Sequence, residues 1–292
     1  MENTFNLTDA IKQSLNELFS NLFSSVDNNI YSLLDKLAFI NTSIIDEPSI
    51  NKLLGDNISN GILLICNSLI LGFILYYAIN YLFSHLIYNH IQRPAQFIFK
   101  CIIYITLMNS SLWICKEIIN IISIITDLIK TLGHTAFNTD ISFLNLIDKT
   151  NSILYLSSTD FNIISFDGII KSFSSFGFIN LLFTYSLRYI MVQVFILISP
   201  FAFLCLIADN SEWFFKVWLK NFISLLLVQI LISIVLCLAF SLNFDGSSNL
   251  SKLLFIGIIF ALTKTNTYMK DIFGSISTDI STGISSVKNL SI

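Results

Sequence analysis

The chain has 292 residues, of which 54% are apolar and only 12% are charged, and its mean hydropathy is +0.74. This composition lies outside the range of soluble domains and predicts an all-α, polytopic membrane protein with about five transmembrane helices. The formal net charge of −3 argues against an extended basic surface for nucleic acid.

Residues 1–57 are predicted to form an amphipathic N-terminal helical region. Apolar residues recur at steps of three and four between Ile11 and Leu37, which is the periodicity of one helix face. Charged residues interrupt this run, so we expect the region to lie on a surface or against a partner and not to cross the bilayer. The sequence from Met1 to Thr4 contains no basic segment, and we expect no cleaved signal peptide.

Residues 58–132 are predicted to hold the first two transmembrane helices, the second with an interfacial extension. The first, Gly61–Phe83, is long and apolar enough to cross the hydrocarbon core of a bilayer. The second begins near Phe97, and its apolar sequence is interrupted by Lys116 and Glu117.

Two arrangements fit this interruption. In one, a long helix crosses the membrane with a polar stripe facing the interior of a helix bundle. In the other, the membrane helix ends near Cys115 and continues as an interfacial helix. The second is favoured because charged side chains at the centre of a bilayer are costly. The stripe consists of Lys116, Asn120, Ser123, Asp127 and Lys130.

The remaining sequence divides into three regions. Residues 133–177 lose the long apolar runs and are predicted to form the largest extramembrane loop. Residues 178–265 are predicted to hold transmembrane helices three to five, and residues 266–292 a flexible C-terminal tail. The fifth span is short, so it crosses only if flanking lysines snorkel or the bilayer thins. The three predicted spans are Tyr189–Ala208, Asn221–Leu242 and Leu253–Leu262.

Two residues, Arg188 just before the third span and Pro200 within it, are candidates for a packing or channel role. Arg188 has two interpretations, a guanidinium that snorkels to the lipid headgroups or a buried charge near a conduction path. The first is favoured. Pro200 lies inside the span and predicts a kink, because proline removes one backbone hydrogen bond. Lys116 and Glu117 are further candidates, since they are charges within an apolar region.

A line of small and polar residues follows one face of the fourth span. Gln229, Ser233, Cys237 and Ser241 recur at four-residue spacing. Such a line most often joins transmembrane helices through close packing and hydrogen bonds, and less often lines a pore. Helix packing is the favoured interpretation.

The turn between the third and fourth spans carries residues typical of a membrane interface. Trp213, Lys216, Trp218 and Lys220 are predicted to anchor this hairpin at the cytoplasmic surface. Lysine and arginine residues near the span ends favour an extracytoplasmic N-terminus and a cytoplasmic C-terminus, with residues 133–177 outside.

The chain contains no sequence motif for ATP hydrolysis, dinucleotide binding or common hydrolase chemistry. Its three histidines and five cysteines form no metal-binding pattern. We therefore expect a protein that is not an enzyme and that needs no cofactor.

The sequence around the hairpin turn resembles the TrbL-like polytopic channel subunits of conjugative type IV secretion systems. In that family, an apolar span with a proline-containing end leads into a turn with a Trp-Leu-Lys element and then into another long span. The similarity covers residues 180–242, and the plan of five spans with a large outer loop is also similar. The residues that carry it are Ser199-Pro200-Phe201-Ala202, Trp213-Phe214-Phe215-Lys216-Val217-Trp218-Leu219-Lys220-Asn221-Phe222 and Gln229.

The resemblance implies a non-enzymatic part of a DNA or protein translocation channel in the bacterial cytoplasmic (inner) membrane. Its partners would be other channel subunits, separate ATPases, the lipid bilayer and a relaxase-DNA complex in transit, and the chain would form a homo-oligomer. Two other classes stay open. A secondary transporter or permease subunit would carry inverted repeats, and a holin-like pore-former would lyse cells without partners. A membrane scaffold is not separable from a channel by sequence.

Overall fold

The computed structural model describes residues 14, 28–55, 61–87, 93–154, 166–242 and 249–273. Within these residues every regular element is a helix and no strand occurs, which confirms the all-α class. Most of the predicted N-terminal amphipathic run before residue 28, and the predicted tail after residue 273, lie outside the described residues.

The described residues form nine α-helices and two single 3₁₀ turns, Thr42–Ile44 and Asp209–Ser211. The α-helices are α1 (Asn28–Ala38), α2 (Pro48–Leu54), α3 (Gly61–Ile87), α4 (Pro94–Asn109), α5 (Ser111–Phe137), α6 (Phe143–Leu154), α7 (Phe166–Leu204), α8 (Glu212–Ser241) and α9 (Asn249–Phe273).

Three segments of the described chain are long and apolar enough to cross a membrane, by length and composition. They are Gly61–Phe83, Ser172–Leu204 and Asp209–Ser241. The first coincides with the predicted first span, and the other two contain most of the predicted third and fourth spans. The predicted second and fifth spans form helices, α4 with α5 and α9, but do not meet the same criterion. The number of about five spans is therefore not confirmed.

The membrane-helix end predicted near Cys115 stays a prediction, but the structure does break the helix nearby. The break falls at Ser110, between α4 and α5, and α5 continues without interruption through Lys116. Cys115 is fully buried, and the Lys116 ammonium lies 3.7 Å from the Asp46 carboxylate. A carboxylate of the N-terminal segment therefore lies near the charge at position 116.

The polar stripe of α5 follows neither predicted arrangement in full. This helix packs along α8, since the Cys237 thiol lies 3.6 Å from the Ile129 carbonyl oxygen and a Cβ at Gly133 would lie 2.7 Å from the Cys237 sulfur. Asn120 and Asp127, however, are exposed. The stripe therefore does not face the interior of the described bundle.

The region predicted as an extramembrane loop, residues 133–177, is largely helical where it is described. It contains the end of α5, all of α6 and the start of α7 at Phe166. Asp35 holds α6 in place, because its carboxylate accepts hydrogen bonds from the backbone N–H groups of Phe143 (2.9 Å) and Leu144 (3.4 Å). These two N–H groups belong to the first turn of α6, where no intrahelical acceptor is available.

The N-terminal segment 28–55 packs against helices of its own chain. Leu34 and Ala38 of α1 are buried in the same apolar cluster as Phe143 of α6 and Leu181 of α7. The following residues, including Ile40, join a second cluster formed with α4, α5, α7 and α8. The amphipathic surface predicted for this part of the chain is therefore covered intramolecularly.

Pro200 lies inside α7, and the helix continues past it to Leu204. Proline has no N–H group, which leaves the Ile196 carbonyl without its helical donor. The Ser199 hydroxyl donates to that carbonyl oxygen at 2.7 Å. The serine before the proline thus restores the hydrogen bond that the proline removes, and the predicted kink stays a prediction.

Candidate functional site: a buried polar cluster at Arg188

Arg188 lies on α7 in the interior of the described bundle, with no exposed surface. Its Nε donates a hydrogen bond to the Leu225 carbonyl oxygen at 2.8 Å, and its Nη1 donates to the Ala38 carbonyl oxygen at 2.9 Å. Its Nη2 lies 3.5 Å from Oε1 of Gln229. One guanidinium therefore connects α7 with α8 and with the end of α1.

Gln229 is the second residue of this cluster and is also buried. Its Oε1 accepts a hydrogen bond from the Ile40 backbone N–H at 2.9 Å, in addition to its contact with Arg188. Ile40 lies two residues after the last residue of α1, where the backbone has left the helix. Gln229 therefore satisfies an N–H group that belongs to no regular element.

The two side chains complete the backbone hydrogen bonds at the C-terminal end of α1. Ala38 is the last residue of that helix, and the last carbonyls of a helix have no intrahelical donor. A cation is favoured at this end because the helix dipole concentrates negative charge there. Arg188 supplies both the donor and the charge, so the N-terminal segment is joined to the core by polar contacts as well as by apolar packing.

Tyr185 extends the cluster to α9. It lies almost one helical turn before Arg188, is fully buried, and donates its hydroxyl to the Leu262 carbonyl oxygen at 3.1 Å. The Thr265 hydroxyl donates to the same carbonyl at 2.7 Å. Within about one turn of α7, buried polar side chains therefore bond to α8, to α9 and to the N-terminal segment.

The acceptors around Arg188 are neutral. The carboxylates seen in ion pairs of the described residues, such as those of Lys100, Lys116 and Lys216, lie elsewhere and do not contact Arg188. A buried charge needs several hydrogen bonds to offset the loss of water. Here two backbone carbonyls and one side-chain amide oxygen provide them, and each charge-assisted bond contributes about 1.5–3 kcal/mol.

The interpretation of Arg188 as a snorkelling residue is wrong, because its guanidinium is turned into the protein and not toward the surface. The alternative of a buried charge agrees with the structure as far as burial is concerned. That Arg188 lies near a conduction path stays a prediction.

The four predicted interface anchors separate into two groups. Trp218 is only 2% exposed, its Nε1 donates to the Phe195 carbonyl oxygen at 2.9 Å, and its ring stacks on Phe222 at 5.4 Å. It therefore joins α8 to α7 inside the bundle, and its predicted place at the interface is wrong. The indole N–H of Trp218 has its partner within the protein and needs none in the headgroup region.

The other three predicted anchors are on the surface. Trp213 is 62% exposed, and Lys216 and Lys220 are exposed on the first turns of α8. The Lys216 ammonium lies 2.9 Å from a Glu212 carboxylate oxygen four residues earlier. Their positions are compatible with the predicted anchoring role.

The small and polar line on α8 faces other helices over most of its length. Ser233 is buried and donates its hydroxyl to the Ile230 carbonyl oxygen at 2.8 Å, while Cys237 packs against α5 as described above. Only Ser241, at the end of the helix, is exposed. This arrangement favours helix packing over pore lining for Gln229 and Ser233.

Lys116 and Glu117 do not join the Arg188 cluster. Lys116 pairs with Asp46, and Glu117 is half-buried on α5. Among the described residues, no three His, Cys, Asp or Glu side chains come together at a position where they could hold a metal ion.

A contact between Glu47 and α7 was not anticipated from the sequence. The Glu47 carboxylate accepts hydrogen bonds from the Tyr189 hydroxyl and from Nε2 of Gln193, both at 2.6 Å. Tyr185, Tyr189 and Gln193 recur at four-residue spacing within an apolar span. This spacing places them on one helix face, and it is the signal that identifies the face of α7 covered by the N-terminal segment.

No family model matches this chain, and neither the curated proteins nor the solved structures include a significant match to it.

Proposed function

We propose that this chain is a multi-pass protein of the bacterial cytoplasmic membrane and a non-enzymatic subunit of a conjugative type IV secretion channel. The observation that carries the proposal is the α7–α8 hairpin. It contains two of the three segments that are long and apolar enough to cross a membrane, and it covers the residues that resemble the TrbL-like subunits.

The construction of the hairpin suits a rigid structural part of such a channel. Trp218 bonds to the Phe195 carbonyl near the turn, and Arg188 bonds to the Leu225 carbonyl farther along the same pair of helices. Hydrogen bonds at two levels fix the two helices against sliding. In this proposal, Arg188 and Gln229 also hold the N-terminal segment on the hairpin, and the assembled unit contacts other copies and the ATPases that drive transfer.

The experiment that tests the assignment is transfer of a conjugative element from a donor that lacks only this gene. Loss of transfer, restored when the gene is supplied in trans, is the expected result. Unchanged transfer would overturn the secretion assignment and favour a permease, whereas lysis on expression alone would favour a pore-former.

A variant tests the role of the turn within this function. Trp218→Ala combined with Lys220→Glu removes a buried contact and reverses a charge at the proposed cytoplasmic surface, and it should abolish transfer. The control is Lys220→Gln alone, which leaves the buried contact in place. Wild-type transfer by the double variant at normal protein level would exclude the turn from the mechanism.

The proposed topology has the N-terminus outside and the C-terminus in the cytoplasm. Asn210 in the hairpin turn and Asn138 after α5 are both exposed, while the five native cysteines are buried or half-buried. Labelling of Asn138→Cys but not Asn210→Cys by a membrane-impermeant maleimide in intact cells is expected. The reverse pattern would invert the topology.

A further inference from the structure

The two apolar segments of the α7–α8 hairpin are joined at their centres. Arg188 is the middle residue of Ser172–Leu204, and Leu225 is the middle residue of Asp209–Ser241, each with sixteen residues on either side. The Arg188 side chain donates to the Leu225 carbonyl oxygen at 2.8 Å. Because the proposed membrane location places both segments across a hydrocarbon core of about 30 Å, this hydrogen bond lies near the middle of that core.

The N-terminal segment is bound at the same level. The Ala38 carbonyl, at the end of α1, accepts a hydrogen bond from Arg188. The Glu47 carboxylate, directly before α2, accepts one from Tyr189, the next residue of α7. Neighbouring residues of a helix differ by about 1.5 Å in height. Both ends of the stretch between α1 and α2, residues 39–47, therefore lie close to the level of Arg188.

The backbone of residues 39–47 belongs to neither α-helix, and at this depth it needs protection from lipid. Irregular backbone occurs at membrane depth only where it is buried in protein or lines a water-filled cavity. On the inner side of the stretch, Ile40, Ile44 and Ile45 are buried. On the outer side, Asn41 and Ser43 are exposed within the described part of the chain. The outer side therefore fits a water-filled cavity.

Helix α5 continues this polar surface. The Lys116 ammonium lies 3.7 Å from the carboxylate of Asp46, and the two side chains are 44% and 67% exposed. Asn120, one turn further along the same helix face, is also exposed. Asp46 directly precedes Glu47, so the ion pair lies within the depth of the hairpin. Charged side chains at that depth almost always face the interior of a bundle or a water-filled cavity, and these face outward.

We propose that residues 39–47 and the face of α5 that carries Lys116 and Asn120 line a water-filled path at membrane depth. The path runs beside the described bundle and not through it, because these groups lie on the outer surface while paired polar groups fill the interior around Arg188. The proposal differs from the expectation that the N-terminal region lies on the membrane surface. It rests on the membrane location proposed above and not on the secretion assignment.

Cysteine reactivity of the full chain in native membranes tests the proposal. Ser43→Cys keeps the backbone N–H of residue 43 that bonds to Asn41. It should react about tenfold or more faster than Leu71→Cys with a small, permanently charged methanethiosulfonate, because the attacking thiolate and the reagent both need water. Leu71 is the matched control, since it is 71% exposed and lies next to the middle of Gly61–Phe83. The wild-type chain gives the background from the five native cysteines.

A bulky polyethylene-glycol maleimide separates a path from an open surface. Applied to both sides of the membrane, it should modify Asn210→Cys, in the exposed hairpin turn, but should modify Ser43→Cys only after denaturation. Modification of both variants in intact membranes would place residue 43 on an open surface and overturn the proposal. No reaction of Ser43→Cys with the small reagent would show that lipid or protein covers it, and would overturn the proposal too.

Asn120→Cys repeats the test on α5, so the result does not depend on the folding of one variant. It should react as Ser43→Cys does, and a reaction as slow as that of Leu71→Cys would remove α5 from the path. Alkaline carbonate extraction of the wild-type chain tests the membrane location separately. Release of the chain would refute that location, whereas failure of the cysteine tests in a retained chain would refute the path alone.

Discussion

Helices α3 and α8 are similar in length and apolar character, with 27 and 30 residues, yet they pack very differently. Within the apolar part of each helix, 17% of the residues are buried in α3 and 56% in α8. Apolar character therefore does not decide which helix enters the core. Both helices are apolar enough to cross a bilayer, so another property must decide which of them is buried in the bundle.

The difference lies in how the polar side chains of the two helices are used. Ser68 of α3 donates to the Leu64 carbonyl of its own helix at 2.9 Å, and the buried Asn67 amide nitrogen has no partner within the described residues. Gln229 of α8 instead bonds to Ile40 and Arg188, on two other elements. In a membrane, lipid solvates apolar surfaces as well as protein does, so hydrogen bonds and close packing decide helix association.

The largest expected effect is on Trp218 of α8. Trp218→Ala should lower the free energy of unfolding by about 3–5 kcal/mol, because it removes a buried ring and its hydrogen bond to the Phe195 carbonyl. Thermal unfolding in detergent micelles measures the change. Tyr76→Ala on exposed α3 is the control and should change the free energy of unfolding little. An equal loss of stability in the two variants would contradict the difference in packing between α3 and α8.

Arg188→Ala is expected to cost about 2–4 kcal/mol, since three hydrogen bonds to a charged group are lost in the interior. An apolar substitute such as Arg188→Met should not restore stability, because the acceptors include backbone carbonyls that remain in place. Limited proteolysis should show faster cleavage within residues 28–55, while Ser68→Ala on α3 leaves the cleavage rate unchanged. Protection equal to that of the wild type would contradict the role of Arg188 in holding the N-terminal segment.

Two amide-to-leucine variants sharpen the comparison. Gln229→Leu should destabilise by about 1–3 kcal/mol, because the buried Ile40 N–H loses its acceptor. Asn67→Leu should be neutral or stabilising, because it removes a buried amide nitrogen that has no partner in the described structure. The free energy of unfolding of each variant is the measurement, and opposite signs are the expected outcome.

The smallest expected effect is a pH dependence of stability that comes from Asp35, a residue outside α3 and α8. Burial raises the pKa of this carboxyl above 3.8, against the lowering effects of the Phe143 and Leu144 N–H groups and of Lys130. The folded state thus holds the proton more tightly than the unfolded state. The contribution of Asp35 to stability is full below about pH 3.8 and is lost as the pH rises through the raised value.

The comparison with Asp35→Asn isolates this effect. The variant cannot titrate at position 35. Its stability relative to the wild type should therefore rise as the pH increases from about 3.8 through the raised pKa of Asp35. Melting temperatures of the two proteins from pH 3.5 to pH 7 measure the difference. A constant difference across the window would show that Asp35 does not titrate with a raised pKa.

The sequence was sufficient to predict the helical class, the first span from Gly61 to Phe83 and the face of α8 that carries Gln229 and Ser233. Each of these depends on local composition or on helical spacing, which the sequence displays directly. The sequence did not reveal which residue Lys116 contacts. Its partner, Asp46, lies 70 positions away in the chain, and the distance in sequence hides the pairing.

The environments of Arg188 and Trp218 were also not predictable from the sequence, because their partners are distant in the chain. Both residue types favour membrane interfaces when they have no partner in the protein, and the sequence alone supports that position for each. The fold supplies acceptors for both, from the Ala38 and Leu225 carbonyls for Arg188 and from the Phe195 carbonyl for Trp218. These acceptors are backbone atoms, which every residue carries, so no residue type in the sequence marks them.

The sequence by itself determined that this protein is built from helices and that several are apolar enough for a membrane, because both properties depend on residue types and their spacing along the chain. The tertiary structure alone decided which apolar helix became core, which cation was buried and where the N-terminal segment docked. Those outcomes depend on contacts between groups far apart in the sequence, and the free energy of a buried polar group is fixed by whether such a contact forms.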